Sequence, residues 1–101
     1  MAQFDVYENT NIETKELIPY ILDIQNDILS SLSTRTVIPL ALDKKEIQNL
    51  NPQFMIENQK VTMLTTHLAS IHLHQFGNKV CSIKEKRREI IDSIDFLITG
   101  F

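Results

Sequence analysis

Only one segment of this chain carries a sustained helical period, and it lies towards the C-terminal end. Ile83, Ile90, Ile91, Ile94, Leu97 and Ile98 fall on one stripe, with Lys84, Lys86, Arg88, Glu89 and Asp92 on the other side. Ser82-Ile83-Lys84-Glu85 has the capping-box pattern, in which serine and glutamate each satisfy a backbone N–H left unpaired in the first turn. Gly100 stands where a left-handed residue would end the helix. These marks predict one helix of about 16 residues, which must bury its stripe against the rest of the chain, a second subunit, or both.

Everything before that helix reads as short strands divided by turns. Phe4 and Val6 alternate with polar neighbours and lead into Glu8-Asn9-Thr10-Asn11, a loop composition. Residues 18–25 and 35–42 are rich in β-branched and large apolar side chains, and Ser30-Ser31-Leu32-Ser33-Thr34 divides them. Residues 53–56 and 61–65 flank Glu57-Asn58-Gln59-Lys60, which predicts a hairpin with a four-residue loop. Ile71 to Phe76 alternates once more and stops at Gly77-Asn78, a turn pair, while Asp43 to Leu50 suits a short helical turn. Strands followed by one helix predict an α+β, mainly β fold. With 43% hydrophobic and 23% charged residues, 1–101 are expected to form a single domain with an ordinary core.

Ten Lys and Arg stand against 13 Asp and Glu, a net charge of −3. That balance argues against a protein that grips nucleic-acid phosphates, which needs a basic face, so no direct nucleic-acid binding is expected. No apolar run nears the ~20 residues that cross a bilayer, so no membrane partner is expected. Met1-Ala2-Gln3-Phe4-Asp5 lacks the basic and apolar regions of an export signal, and the single Cys81 cannot form an internal disulfide. A cytoplasmic location is the expectation.

Little in the chain is suited to catalysis. His72-x-His74 would place two imidazoles on one strand face, but nothing at ligand spacing completes a zinc site, so neither metal nor cofactor is expected. Cys81, just ahead of the helix, could be an activated thiol, yet no motif around it supplies a base, and a small hydrophobe is the commoner role. Lys86-Arg87-Arg88 is flanked by Glu85 and Glu89, as on a solvated helix face. One local rule is broken. Asp92 and Asp95 lie near the helix C-terminus, where the macrodipole disfavours negative charge by up to about 1 kcal/mol each, and Phe101 is expected to add the chain carboxylate. The pattern fits two solvated aspartates, or an electronegative tip that receives arginine or lysine from a partner.

Taken in order, Gln3-Phe4-Asp5-Val6-Tyr7, Asp23-Ile24-Gln25-Asn26-Asp27-Ile28-Leu29, Val37-Ile38-Pro39-Leu40, Met63-Leu64-Thr65-Thr66-His67-Leu68-Ala69-Ser70 and Thr99-Gly100-Phe101 resemble the CcdB family. These are the DNA-gyrase-poisoning toxins of toxin–antitoxin modules. The likeness runs in register over essentially the whole chain, and the blocks are specific jointly rather than singly. It implies an SH3-like barrel of the CcdB/PemK type with a small three-stranded wing and one C-terminal helix, assembled as a homodimer. It also implies a target, the A subunit of DNA gyrase, which is trapped on cleaved DNA rather than chemically altered, so the protein is not expected to be an enzyme. A cognate antitoxin with a disordered C-terminal tail is the implied neutralising partner.

The surface that the resemblance assigns to gyrase comprises Ile28 and Leu29 together with Asp95, Thr99, Gly100 and Phe101 at the helix tip. Thr99 stands where plasmid-borne members often carry tryptophan, and of that tip motif only the glycine is kept. Ile94, Leu97 and Ile98 are expected at the dimer interface, as more apolar surface than one short helix tip can bury in a chain of this length. Glu8 to Glu13 and Asp43 to Gln48 are the exposed candidates for the antitoxin. Two other readings stay open. One is an endoribonuclease of the MazF type, which shares the fold but needs a basic RNA groove. The other is a degenerate homologue that binds antitoxin without poisoning gyrase.

Overall fold

The apolar runs of the first two-thirds become strands, and the periodic segment becomes the helix, in a computed structural model that describes residues 1–100. The strands are β1 (Asp5–Asn9), β2 (Tyr20–Asp23), β3 (Thr34–Ala41), β4 (Gln53–Ile56), β5 (Gln59–Met63), β6 (Ala69–His72) and β7 (Phe76–Ser82), followed by helix α1 (Arg87–Thr99). They form one antiparallel sheet in the order β4-β5-β3-β2-β1-β7, which curls into an SH3-like barrel. β3 serves two neighbours along one edge: Thr34–Val37 pair with β6, and Leu40 and Ala41 pair with β5.

Strand alternation divides the buried side chains between the two faces of the sheet. Val6, Leu22 and Ile38 point to the main core with Leu40, Val61 and Met63, while the intervening Tyr7, Ile21 and Val37 form a smaller cluster behind it. Fully burying a Val, Leu, Ile or Met side chain contributes about 1.5–3 kcal/mol. The helix closes the main core with Ile90, and Ile91 and Ile94 pack against its margin. In the smaller cluster the Tyr7 ring meets Phe76 edge to face at 5.1 Å. Among the described residues no helix is long and apolar enough to cross a membrane.

Several local expectations are corrected. The hairpin loop is Glu57-Asn58 alone, both with positive φ (50° and 65°), and Gln59 and Lys60 already pair with Ile56 and Met55. Asp43 to Leu50 is not helical. Asp43 and Asn49 are left-handed (φ 56° and 67°), which a right-handed turn cannot accommodate, and Ile47 bridges to Asn51 instead. The alternation from Ile71 to Phe76 is interrupted by a 3-10 turn at Leu73–Gln75, with the Gln75 side chain accepting the His72 N–H at 2.8 Å. Gly77-Asn78 is strand, not turn, and β1 extends through Glu8 and Asn9.

The helix is shorter than expected, 13 residues, with a separate 3-10 turn at Lys84–Lys86 ahead of it. The capping box does not form. Ser82 is paired to Asp5 as the last residue of β7, so its hydroxyl reaches only the Lys84 N–H, at 3.4 Å. The C-terminal expectation holds: Gly100 is left-handed (φ 81°) and donates its N–H to the Phe96 carbonyl at 2.9 Å.

Candidate target-binding surface

The turn between β2 and β3 carries Ile28 and Leu29 away from the core. Asn26 begins it, accepting the Ile28 N–H on its side chain at 2.9 Å, and the Leu29 N–H returns to the Asn26 carbonyl at 3.0 Å. Ile28 is 85% exposed and Leu29 47% exposed, so the described residues leave the first almost bare and cover the second only in part.

Beneath that turn lies a cluster of charge that sequence reasoning did not single out. Arg35 on β3 and Asp23 on β2 are fully buried, with Nε 2.6 Å from Oδ2. These two atoms meet as ion to ion, since their alignment falls short of a hydrogen bond. Burial pushes the Asp23 carboxyl up, against the Gln25 N–H and the Arg35 guanidinium, which both pull it down. The Arg35 Nη2 group donates to the Gln25 carbonyl at 3.2 Å and to Asp27 Oδ1 at 3.3 Å. A sequence signal did exist: Arg35 alternates with Val37 on one face of β3, and where Val37 is core a solvated cation has no place.

The helix tip is the second part of the surface. Asp95 and Thr99 are exposed, and the Thr99 hydroxyl donates to the Asp95 carbonyl at 2.7 Å. A Cβ built on Gly100 would meet no described atom within 4 Å outside its own helix turn and chain neighbours. Phe101, the last expected contact, lies outside the described residues. Beside the tip a cleft of about 660 Å³ separates Glu89, Asp92 and Phe96 of α1 from Glu46, Ile47 and Pro52. Asp92 therefore joins other carboxylates rather than a cation. Ile28 and Leu29 do not line this cleft, so one chain does not gather the apolar pair and the tip into a single pocket.

The residues expected at the dimer interface differ in burial. Ile94 is half-buried against the core, Leu97 is half-buried, and Ile98 is 71% exposed. For the antitoxin candidates, exposed Glu8 and half-buried Asn9 belong to β1, whereas Thr10 to Glu13 and Asp43 to Gln48 lie outside the named strands and are exposed throughout.

The chemical candidates are not assembled into a reactive centre. His72 ends β6 and His74 lies in the following 3-10 turn, with ring centroids 4.6 Å apart, and no metal-binding group of three His, Cys, Asp or Glu occurs among the described residues. Cys81 is half-buried within β7, and burial together with Glu85 pushes its thiol up, away from the nucleophilic thiolate. Of the basic run, Lys86 stands 3.9 Å from Glu89, and the Arg87 guanidinium lies 5.9 Å over the Phe4 ring.

Comparison with known proteins bears on both fold and lineage. Residues 3–100 match the family model described as "CcdB protein". A solved structure described as "Endoribonuclease in complex with its cognate antitoxin from Mycobacterial species" superimposes with a TM-score of 0.74 over 97% of this chain and 94% of that one. The two sequences are 9% identical, so the likeness is one of fold.

Proposed function

This chain belongs to the CcdB family of toxin–antitoxin toxins, and from that premise we propose that it binds the A subunit of DNA gyrase and holds the enzyme on cleaved DNA. The observation that carries this reading is the ordered, exposed apolar pair Ile28 and Leu29, at the positions where the family resemblance puts a gyrase contact. An uncovered apolar pair on a capped turn is a feature of recognition rather than of folding. Asp95, Thr99 and Gly100 at the helix tip, with Phe101 beyond, form the second part of the surface. An arginine of the target placed at Asp95 would make charge-assisted hydrogen bonds, each about 1.5–3 kcal/mol, and would relieve the unfavourable dipole there.

The protein acts as a homodimer in this reading, so that the two-fold doubles each set of contacts, with Ile94, Leu97 and Ile98 at or near the interface. It works in the cytoplasm, without metal, cofactor or bond-making chemistry of its own. A cognate antitoxin neutralises it by laying a disordered tail over exposed segments, Glu8 to Glu13 and Asp43 to Gln48 being the candidates.

The fold is shared with an endoribonuclease, which makes RNA cleavage the reading to test against. The arginine on the sheet, Arg35, is committed to Asp23 and Asp27 and is 2% exposed, which speaks against it as a catalytic group on RNA. The deciding experiment incubates the purified protein with gyrase, ATP and supercoiled DNA, and in parallel with single-stranded RNA. Trapped cleavage complexes and intact RNA are expected. Cleaved RNA with no trapped DNA would replace the gyrase reading by the nuclease one, and neither activity would leave a homologue that binds antitoxin alone.

A further inference from the structure

The 26–29 turn is tied down far more thoroughly than an exposed loop requires. Besides its contact with Asp23, Arg35 holds the turn twice, at the Gln25 carbonyl and at Asp27 Oδ1. Asp27 Oδ1 also accepts the Gln3 N–H at 2.9 Å, which links the turn to the chain before β1. The Gln25 side chain spans the loop from within: its Nε2 donates to the Leu29 carbonyl at 3.1 Å and to the Thr34 carbonyl at 3.3 Å, and its Oε1 accepts the Thr36 N–H at 3.0 Å. The backbone on both sides of Ile28 is thus fixed, while the Ile28 side chain itself touches solvent.

Stability alone is a poor account of this arrangement, because a buried ion pair seldom outperforms apolar side chains of the same size. A preformed recognition element is a better one. A loop already ordered in the free protein loses little conformational freedom on binding, so more of the contact free energy appears as affinity.

We propose that Arg35 is a positioning residue for target recognition, fixing the 26–29 turn through Asp27 and the Gln25 carbonyl so that Ile28 and Leu29 are presented to the partner in one rigid geometry. The inference rests on the reading of Ile28 and Leu29 as part of the gyrase-binding surface. Arg35 acts through the turn and does not itself meet the partner, since it is enclosed by β2, β3 and the turn.

The test uses the whole protein and purified gyrase A subunit, with backbone order parameters from nuclear relaxation and affinity from calorimetry. Arg35→Lys keeps a cation beside Asp23 but loses the fork that reaches the turn, and Asp27→Ala removes the other end of the tie. Both are expected to leave Leu22 and Ile38 rigid, at order parameters of about 0.85, to drop Ile28 and Leu29 below about 0.6, and to weaken gyrase A binding at least tenfold. Asp27→Asn, which keeps an acceptor at Oδ1, is expected to restore both the order and the binding to near the parent. Loosening of the turn with unchanged affinity would overturn the proposal, as would loss of order at Leu22 and Ile38 together with the turn. Ile28→Ala separates the two readings: it is expected to weaken binding with the turn still ordered. Unchanged binding by Ile28→Ala would remove the pair from the gyrase surface and overturn the proposal along with it, whatever the Arg35 variants do to the turn.

Discussion

Gly77 of β7 passes so close to Glu8 of β1 that a Cβ at position 77 would stand 2.8 Å from the Glu8 carbonyl oxygen and 2.9 Å from the Glu8 Cβ. Here the pairing steps from Asn9 opposite Phe76 to Tyr7 opposite Lys79, so Gly77 and Asn78 together face Glu8 in a β-bulge. The Asn78 N–H is recovered by the Glu8 carboxylate at 3.3 Å.

Gly77→Ala is therefore expected to cost about 1–3 kcal/mol, the range for forcing a methyl into a closed contact. The obstacle is backbone, which cannot rotate aside as a side chain end could. Urea unfolding checks it, and a midpoint equal to the parent's would mean that β1 and β7 separate freely at this point.

The alkaline limb of stability should belong to the two tyrosines together with the Cys81 thiol, which burial also pushes up. Burial, with Asp5 beside the hydroxyl, raises Tyr7 from 10.0 to about 12, and its hydroxyl donates to Asp5 at 3.3 Å. Burial and the Glu57 carboxylate, which accepts the Tyr20 hydroxyl at 2.6 Å, raise Tyr20 further still. Below the ordinary tyrosine value both folded and unfolded chains keep these protons. Between about 10 and about 12 only the folded state keeps that of Tyr7, so stability falls as pH rises through this interval. Absorbance at the tyrosinate band should stay low at pH 10 and rise with unfolding, and Tyr7→Phe should flatten the loss. Half-ionised tyrosine at pH 10 in a folded sample would contradict both burials.

His72→Ala, His74→Ala and Cys81→Ser should each leave gyrase trapping within a few-fold of the parent, since none of them joins a third ligand or a base among the described residues. Added zinc should leave the melting temperature of the parent unchanged, because a site bound in the folded state alone would raise it. A zinc-dependent rise that disappears with His72→Ala would restore the metal reading.

Periodicity made the helix stripe and the strand-then-helix order readable, because burial of one face imposes the period directly on residue type. Gly100 was readable for the same kind of reason, as one backbone conformation that strongly favours glycine. Features decided at a distance were not. The Ser82 hydroxyl would cap a helix in isolation, but pairing with Asp5 keeps Ser82 in the sheet. Asp43 and Asn49 carry left-handed backbone in a segment tied both at a distance and locally: the Thr62 hydroxyl donates to the Lys44 carbonyl at 2.8 Å, and Ile47 bridges to Asn51 around Asn49. Within the candidate surface, the family resemblance brought out Ile28 and Leu29 but not what holds them. Arg35 escaped notice because an arginine in a strand ordinarily lies at the surface, and its partner Asp23 precedes it by a full loop.

The last prediction separates two positions on one face of α1. Ile94 packs against the core margin beside Ile90, whereas Ile98, one turn later, is 71% exposed. Ile94→Ala should therefore lower the stability of the fold by about 2 kcal/mol, the low end for a large-to-small change at a packed site. Ile98→Lys should leave the isolated fold within about 0.5 kcal/mol of the parent, since a cation near a helix C-terminus suits the dipole. If the dimer closes over this face, Ile98→Lys buries an unpaired charge there and should shift the protein to monomer in sedimentation, while Ile94→Ala should not at a temperature where it remains folded. A doubled contact surface is what the proposed gyrase reading requires, so the monomeric Ile98→Lys protein should also trap less cleaved DNA. An Ile98→Lys variant that stays dimeric would move the two-fold away from the helix tip.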